Sequence, residues 1–472
     1  MAGSVTDVGI HAMEVYFPRL FVDQTELELF DGASAGKYTV GLGQMQMGFC
    51  ADHEDVQSIM LTVTAKLMEK HNIDPKSVGF LAVGTETIVD KSKSVKTQLM
   101  QLFPGNGDIE GVDVTNACFG GTQAVFHAVD WVYANVDGSR ENRWALAVMG
   151  DIAVYDKGPA RCTGGAGAVA LLIGPNAPLV FDRGLRAVHM QSVYDFYKPR
   201  MTSEYPVVDG ALSVQSYLSA LDACYQLYGA KYAKITNGKH PDLSNFAAVL
   251  FHSPYARLVQ KSLGRLAFHD FVSGRHSHLS SLDQLSAFRG TPLNATYGDK
   301  SFEKAVLTAS EQLFRAKTDP SLLFARRIGN MYTGSLYGGL CSLLLTQSPS
   351  ELVGRRLLLF SYGSGSAAAI FSLSVSTDAS RLQGLLQSAK EAAYRLDHRV
   401  KASPKQFARA LEMREQLLGK APYQPHALCM DDNDGEGMMH FPLFPDTFYL
   451  TQIDEKFRRR YERSTNVQQN GH

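Results

Sequence analysis

Short apolar runs closed by glycine and polar residues recur along the first half of the chain, and the spacing within each run separates strand from helix. Val8 to Phe17 predicts an opening strand, and Asp52 and Asp55 stand ahead of a helical pattern that runs to Lys70, where N-terminal caps belong. Between them, Asp31 to Phe49 reads as a Gly-rich loop carrying Lys37. Val78 to Val83 is a compact apolar run closed by Gly84-Thr85-Glu86-Thr87, which predicts a strand with Glu86 just past its C-terminal end. The β-branched segment Val112 to Thr115 predicts another. After the Gly120-Gly121 pair, Val125, Ala128, Val129, Val132 and Val136 recur at helical spacing, so Cys118 falls where a strand meets a helix. Trp144 to Met149, ending in Gly150-Asp151, and the Gly-rich run Thr163 to Leu172 predict two further strands.

The second half replays this order with different residues. Ala247 to Phe251 is again an apolar run with a polar residue, His252, at its end. Gly329-Asn330-Met331-Tyr332-Thr333-Gly334 echoes the turn at Asn116-Ala117-Cys118-Phe119-Gly120-Gly121, Leu357 to Phe360 with the turn at Ser364 echoes Trp144 to Asp151, and Ala367 to Val375 echoes the Gly-rich strand. If the halves pack as pseudo-twofold mates, Glu86, Cys118, His252, Asn330 and Ser364 converge at strand ends, where ligands of α/β sheets gather. The expected division is residues 6–176, residues 177–462 and a disordered polar tail, 463–472. Ser213 to Tyr228 predicts a helix with an apolar stripe, Ser380 to Lys420 a solvated helical face, and Thr447 to Tyr461 a strand followed by a basic end.

Composition narrows the classes. At 45% hydrophobic and 20% charged residues over 472 positions, the chain can bury a large core. Its net charge of -1 gives no overall bias toward nucleic acid or an anionic membrane, so any anionic ligand needs a local basic patch. Cys50, Cys118, Cys162, Cys224, Cys341 and Cys429 form no CxxC pair and no metal-ligand spacing, which fits a reduced intracellular protein without a metal site. Met1 to Gly9 lacks a signal core or an Arg-rich presequence, and the expectation is a cytoplasmic protein. The uncharged window Leu357 to Val375 nears a spanning length, but Ser361 to Ser366 break it, and two buried strands are expected in place of a membrane helix. Gly41-Leu42-Gly43 neither follows a strand directly nor opens a helix, so it does not establish a dinucleotide site.

Taken singly, the candidate residues stay open. A cysteine at a helix N-terminus meets unpaired N–H groups that favour thiolate, making Cys118 a potential nucleophile; it could equally be a small buried apolar residue. Glu86 could be a surface carboxylate paired with Lys91, Lys93 or Lys96, and His252 a satisfied core residue.

Longer stretches are decisive. Gly84 to Ser94, Asn116-Ala117-Cys118-Phe119-Gly120-Gly121-Thr122, Tyr194-Asp195-Phe196-Tyr197-Lys198-Pro199, Phe251-His252-Ser253-Pro254-Tyr255 and Gly329-Asn330-Met331-Tyr332-Thr333 resemble eukaryotic 3-hydroxy-3-methylglutaryl-CoA synthases of the cytosolic type, in register from about Asp7 to Glu462. The resemblance implies a thiolase-like fold, a five-layered αβαβα sandwich of two duplicated halves. It further implies a homodimer acting on small-molecule CoA thioesters in isoprenoid and sterol synthesis, with no cofactor.

Carried over by position, Cys118 would take an acetyl group from acetyl-CoA. Glu86 would remove a proton from the acetyl methyl, and His252 would polarise the ketone of acetoacetyl-CoA. Asn330 and Ser364 would hydrogen-bond around the thioester. Lys37, Arg257 and Lys261 match CoA-binding positions, and Ser34, Ala35, Thr163 and Ser213 line the substrate channel. Arg257 and Lys261 are four apart and should share one helical face. Asp151, His189 and Asp195 match residues that shape the site indirectly. A carboxylate that deprotonates carbon should lie desolvated in an apolar pocket and outside any lysine pair.

Phe119 stands where the family usually has Tyr, Pro159 where it has Asn, and Arg257 where it has Lys. A decarboxylating ketoacyl synthase of the same fold would need no base, so Glu86 argues against it. A non-catalytic acyl-CoA-binding relative, suggested only by Phe119, would have no use for Glu86, Cys118, His252 and Asn330 together.

Overall fold

The computed structural model describes residues 7–135, 143–275, 280–428 and 441–465. Val136, Cys429, most of the N-terminal stretch and the tail beyond 465 lie outside the described residues. In the first half, β1 (Gly9–Tyr16), α1 (Val56–Lys70), β2 (Val78–Gly84), β3 (Glu110–Val114), α2 (Gly120–Ala134), β4 (Trp144–Ala153) and β5 (Gly165–Gly174) follow the predicted order. The second half supplies β6 (Leu179–Phe181), β7 (Ala187–Met190), α3 (Gly210–Ile235), β8 (Ala248–Phe251), α4 (Ala256–Val272), α5 (Ser335–Thr346), β9 (Arg356–Gly363), β10 (Ala367–Val375), α6 (Gln383–Asp397) and α7 (Pro404–Leu417).

The duplication is visible in strand pairing. β2 lies parallel to β4, which pairs antiparallel with β5; β8 lies parallel to β9, which pairs antiparallel with β10. Glu86 and His252 therefore leave equivalent strands. The halves are not separate sheets, however. β6 pairs with both β1 and β10, joining everything into one ten-stranded sheet in the order β8-β9-β10-β6-β1-β5-β4-β2-β3, with β7 beside β10.

Strand alternation feeds two cores. Leu357, Leu359, Ala369 and Phe371 face the main core with α1, α2 and α5, whereas Leu358, Phe360, Ala368 and Ile370 face a second core with α3 and α4. Helix α2 reaches across both halves: its Phe126 meets Phe371 of β10 edge-on, and Tyr337 of α5 donates to its Thr122. The uncharged window is the β9–β10 hairpin, and among the described residues no helix is long and apolar enough to cross a membrane.

Three local expectations change. Asp55 caps α1 in a reciprocal box with Ser58, but Asp52 accepts from the Tyr423 hydroxyl (2.6 Å) and from the N–H groups of His426 and Ala427. It lies too far ahead of the helix to reach the first-turn donors and ties down the C-terminal region instead. The stretch from Ser380 is not simply a solvated face, since α6 buries Leu385, Ala389, Ala392 and Leu396 at helical spacing and α7 buries Arg414. The basic end is a strand, Arg459–Arg463, paired with Phe448–Ile453. Arg463, expected in the tail, forms an ion pair with Glu69 at 2.6 Å.

Candidate active site

The turn before α2 is bent sharply. Ala117 has φ of 41°, a left-handed value that costs a non-glycine residue energy and persists only where its surroundings hold it. Its counterpart, Tyr332, has φ of 42°, and the residues that follow, Cys118 and Thr333, occupy equivalent places. Glycines press the first turn against the end of β9 and against the second turn. A Cβ on Gly363 would run into the carbonyl of Asn116 and the N–H of Phe119, and one on Gly121 would strike the carbonyl of Thr333. Gly363→Ala is therefore expected to destabilise the fold by about 1–3 kcal/mol through overpacking and to slow alkylation of Cys118, both read by denaturant titration and thiol labelling. Unchanged labelling would show that the turn tolerates the methyl group.

Glu86 is buried, and its two oxygens face different groups. Oε1 accepts from the Cys118 thiol at 3.4 Å, while Oε2 pairs with the Lys198 ammonium at 3.2 Å. Burial pushes its carboxyl above the usual range, opposed mainly by the charge of Lys198 and reinforced by that of Asp151. The expected desolvation is present, but the expected freedom from lysine is not. The partner is Lys198, whereas Lys93 and Lys96 hydrogen-bond to Thr97 and Ser94.

Cys118 also departs from expectation. Burial, followed by the neighbouring Glu86 charge, holds its thiol well above the ordinary range, so Cys118 rests as a thiol beside Glu86. Helix α2 begins two residues further on, at Gly120. A terminus effect of about 0.3–1 kcal/mol is outweighed by desolvation, which for a fully buried group reaches about 3–5 pKa units at about 1.4 kcal/mol each, with the adjacent anion acting in the same sense.

Asp151 holds the two halves in register here. Its Oδ1 accepts from the Thr85 and Thr87 hydroxyls and from the N–H groups of Glu86 (2.8 Å) and Thr87, and its Oδ2 accepts from the N–H (3.0 Å) and hydroxyl of Thr333. His252 is 2% exposed, and burial lowers its pKa to about 3, which keeps the imidazole neutral. Its carbonyl accepts from the Tyr217 hydroxyl at 2.7 Å. The Asn330 carbonyl oxygen is fixed by Tyr332 N–H and the Ser335 hydroxyl, both at 2.8 Å, which leaves its amide N–H groups as donors. Ser364 sits on the β9–β10 turn, where Asp195 accepts from the Tyr362 hydroxyl and Gly365 N–H, and Ser213 donates to the Asp195 carbonyl. His189, on β7, pairs in register with Ala368 of β10.

The remaining residues are dispersed. The Thr163 hydroxyl donates to Ala160. Ser34, Ala35 and Lys37 are exposed on a loop whose single helical turn, Lys37–Gly41, hangs from Glu28 through the N–H groups of Gly36, Tyr38 and Thr39. Arg257 and Lys261 do share helix α4 but open onto different clefts. Arg257 lines one of about 210 Å³ with Val40, Gly43, Arg315 and Arg326, and bonds to Gln260. Lys261 lines another of about 270 Å³ and pairs with Glu303 at 3.0 Å. Phe119 is buried and lacks a hydroxyl, and the Pro159 carbonyl accepts from the Cys162 thiol. Sequence reasoning missed Lys198 as a partner of Glu86; the one available signal was a lysine directly after the aromatic run Tyr194 to Tyr197. Among the described residues, no His, Cys, Asp and Glu cluster could hold a metal.

A thiolase-like fold of paired halves, with a cysteine and a carboxylate in contact at its strand ends, defines a class of acyl-transferring, carbon–carbon bond-forming enzymes. Residues 4–178 match the N-terminal domain of hydroxymethylglutaryl-coenzyme A synthase and residues 179–464 the C-terminal domain. The chain belongs to the hydroxymethylglutaryl-CoA synthase family. It is 52% identical to the cytoplasmic hydroxymethylglutaryl-CoA synthase of Mus musculus over 97% of this chain and 87% of that one. It is 51% identical to the mitochondrial enzyme of Sus scrofa over 97% and 89%. The solved structure of MvaS in complex with 3-hydroxy-3-methylglutaryl coenzyme A superposes with a TM-score of 0.78 at 29% identity, covering 97% of this chain and 99% of that one.

Proposed function

We propose that this chain condenses acetyl-CoA with acetoacetyl-CoA and water to give (3S)-3-hydroxy-3-methylglutaryl-CoA and free CoA, as a cytoplasmic homodimer serving isoprenoid and sterol synthesis and using no further cofactor. The observation that carries this reading is the partly buried contact between the Cys118 thiol and Glu86, a nucleophile and a base just past the ends of the neighbouring strands β3 and β2. The Cys118 sulfur attacks the acetyl-CoA carbonyl, its proton leaves with CoA as thiol, and acetyl-Cys118 remains. Exchanging one thioester for another is nearly neutral in energy and needs mainly oxyanion donors.

Glu86 then takes a proton from the acetyl methyl, and the resulting carbanion attacks the ketone of acetoacetyl-CoA. The neutral His252 donates to the developing alkoxide, and Asn330 donates its amide N–H to the thioester carbonyl. Water finally cleaves the Cys118 thioester and frees the product. Lys37, Arg257 and Lys261 supply charge for the CoA phosphates, Ser34, Ala35, Thr163 and Ser213 line the channel, and Ser364 hydrogen-bonds near the thioester.

Incubation with acetyl-CoA alone is expected to leave one acetyl group on Cys118, found by peptide mass spectrometry, and acetoacetyl-CoA added afterwards is expected to yield HMG-CoA. An adduct that persists in Cys118→Ser, or acetylation without subsequent HMG-CoA, would overturn the reading.

A further inference from the structure

Lys198 contributes a fixed cation where burial alone would leave Glu86 unsuited to act as a base. Desolvation of an unpaired carboxylate raises its pKa by up to about 3–5 units, which would keep it protonated at neutral pH, while an adjacent opposite charge returns about 1–3 of those units. The ammonium lies 3.2 Å from Oε2 and 4.6 Å from the centre of the Tyr332 ring, with the Phe196 ring at 5.7 Å. Aromatic faces hold a cation without offering it a competing carboxylate. The pairing is also directional: with Oε2 engaged, Oε1 faces Cys118 and hence the carbon of any acetyl group it carries.

We propose that Lys198 is a positioning residue that keeps Glu86 ionised and fixes which carboxylate oxygen meets the acyl group. The inference rests on Glu86 being the base of the condensation. The groups that face Glu86 are Cys118 from the turn before α2, Asp151 from β4, Tyr155 beyond β4, Tyr332 from the second-half turn, and Lys198. Lys198 is the one cation among them. Asp151 acts in the opposite sense, and the Cys118 thiol favours the carboxylate only as a neutral hydrogen-bond donor, so no other charge in this set replaces Lys198. The cavity of about 80 Å³ that Glu86 and Lys198 themselves line also takes Arg200 and Glu204, and Glu204 is itself paired with Arg414 at 2.7 Å.

A base must be deprotonated to act, so activity falls as pH drops through the Glu86 pKa. Removing Lys198 raises that pKa and moves the acid limb to higher pH. The test compares Lys198→Met and Lys198→Arg with the unaltered chain, following HMG-CoA formation against pH and acetylation of Cys118 separately. Lys198→Met is expected to shift the acid limb upward by about 1–3 pH units and to slow condensation at neutral pH by about 10- to 1000-fold. Acetylation should change less than about threefold, and Lys198→Arg should recover most of the shift.

An unmoved acid limb in Lys198→Met, or acetylation and condensation falling together with an unchanged profile, would overturn the proposal. A second readout does not depend on catalysis. The Glu86 carboxylate band, isolated as the infrared difference between the chain and Glu86→Gln, should titrate at higher pH in Lys198→Met. If the unaltered chain made no HMG-CoA, the functional reading would fail while this shift still decided the electrostatic role of Lys198; no shift would refute that role.

Discussion

Glu86→Gln is expected to lower HMG-CoA formation by about a thousandfold, within the range ascribed to a positioned general base, while acetylation of Cys118 stays within about tenfold of the unaltered rate. The two steps differ in what they ask of a base. In acyl exchange the Cys118 proton has a natural destination on the departing CoA sulfur, so donors and acceptors balance without Glu86. Proton removal from the acetyl methyl has no such internal acceptor. Glutamine keeps the size of the side chain and its place opposite Cys118, but it cannot take a proton, and it leaves the Lys198 ammonium without its anion. Quenched-flow measurement of acetyl-enzyme alongside product separates the steps. Condensation that survives while acetylation disappears would assign Glu86 to the thiol proton instead.

The same contact shows where sequence reasoning reaches its limit. Glu86 and His252 could be placed because each ends a short apolar run, and a polar residue there leaves the sheet at its C-terminal edge. Cys118 could be placed because the valines of α2 repeat every three or four residues behind a glycine pair. These are local patterns that survive without knowledge of neighbours.

The ionisation of Cys118 is different, since the helix terminus visible in sequence is a weak effect, and the Glu86 carboxylate that overrides it arrives from 32 positions away. Lys198 is more distant still, on a segment with no strong periodicity, and only the packed structure brings it to Oε2. Asp52 looked like a cap for the same reason that Asp55 is one, yet its carboxylate is taken up by residues near the C-terminus. The join through β6 was equally hidden, because a strand as short as Leu179–Phe181 carries too few residues to signal its partners.

Asp151→Asn should show how far the site depends on the union of the halves. Asp151 Oδ1 receives first-half donors, among them the Glu86 N–H, while Oδ2 receives the N–H and hydroxyl of Thr333, the counterpart of Cys118. Asparagine supplies one oxygen and one NH2, so whichever way it turns, donors on one side meet a donor. With charge-assisted bonds at about 1.5–3 kcal/mol each and buried donors left unpaired, the expected loss is about 3–5 kcal/mol. Thr333→Val removes only the hydroxyl and keeps the N–H bond at 3.0 Å, so a smaller loss of about 1.5–3 kcal/mol is expected for it. The order of the two in denaturant titration is the check, together with condensation falling further in Asp151→Asn than in Thr333→Val because the Glu86 backbone loses its anchor. Equal losses in the two variants would mean that the bond to the Thr333 hydroxyl accounts for all that Asp151 contributes, and that its bonds to Thr85, Glu86 and Thr87 add nothing to stability.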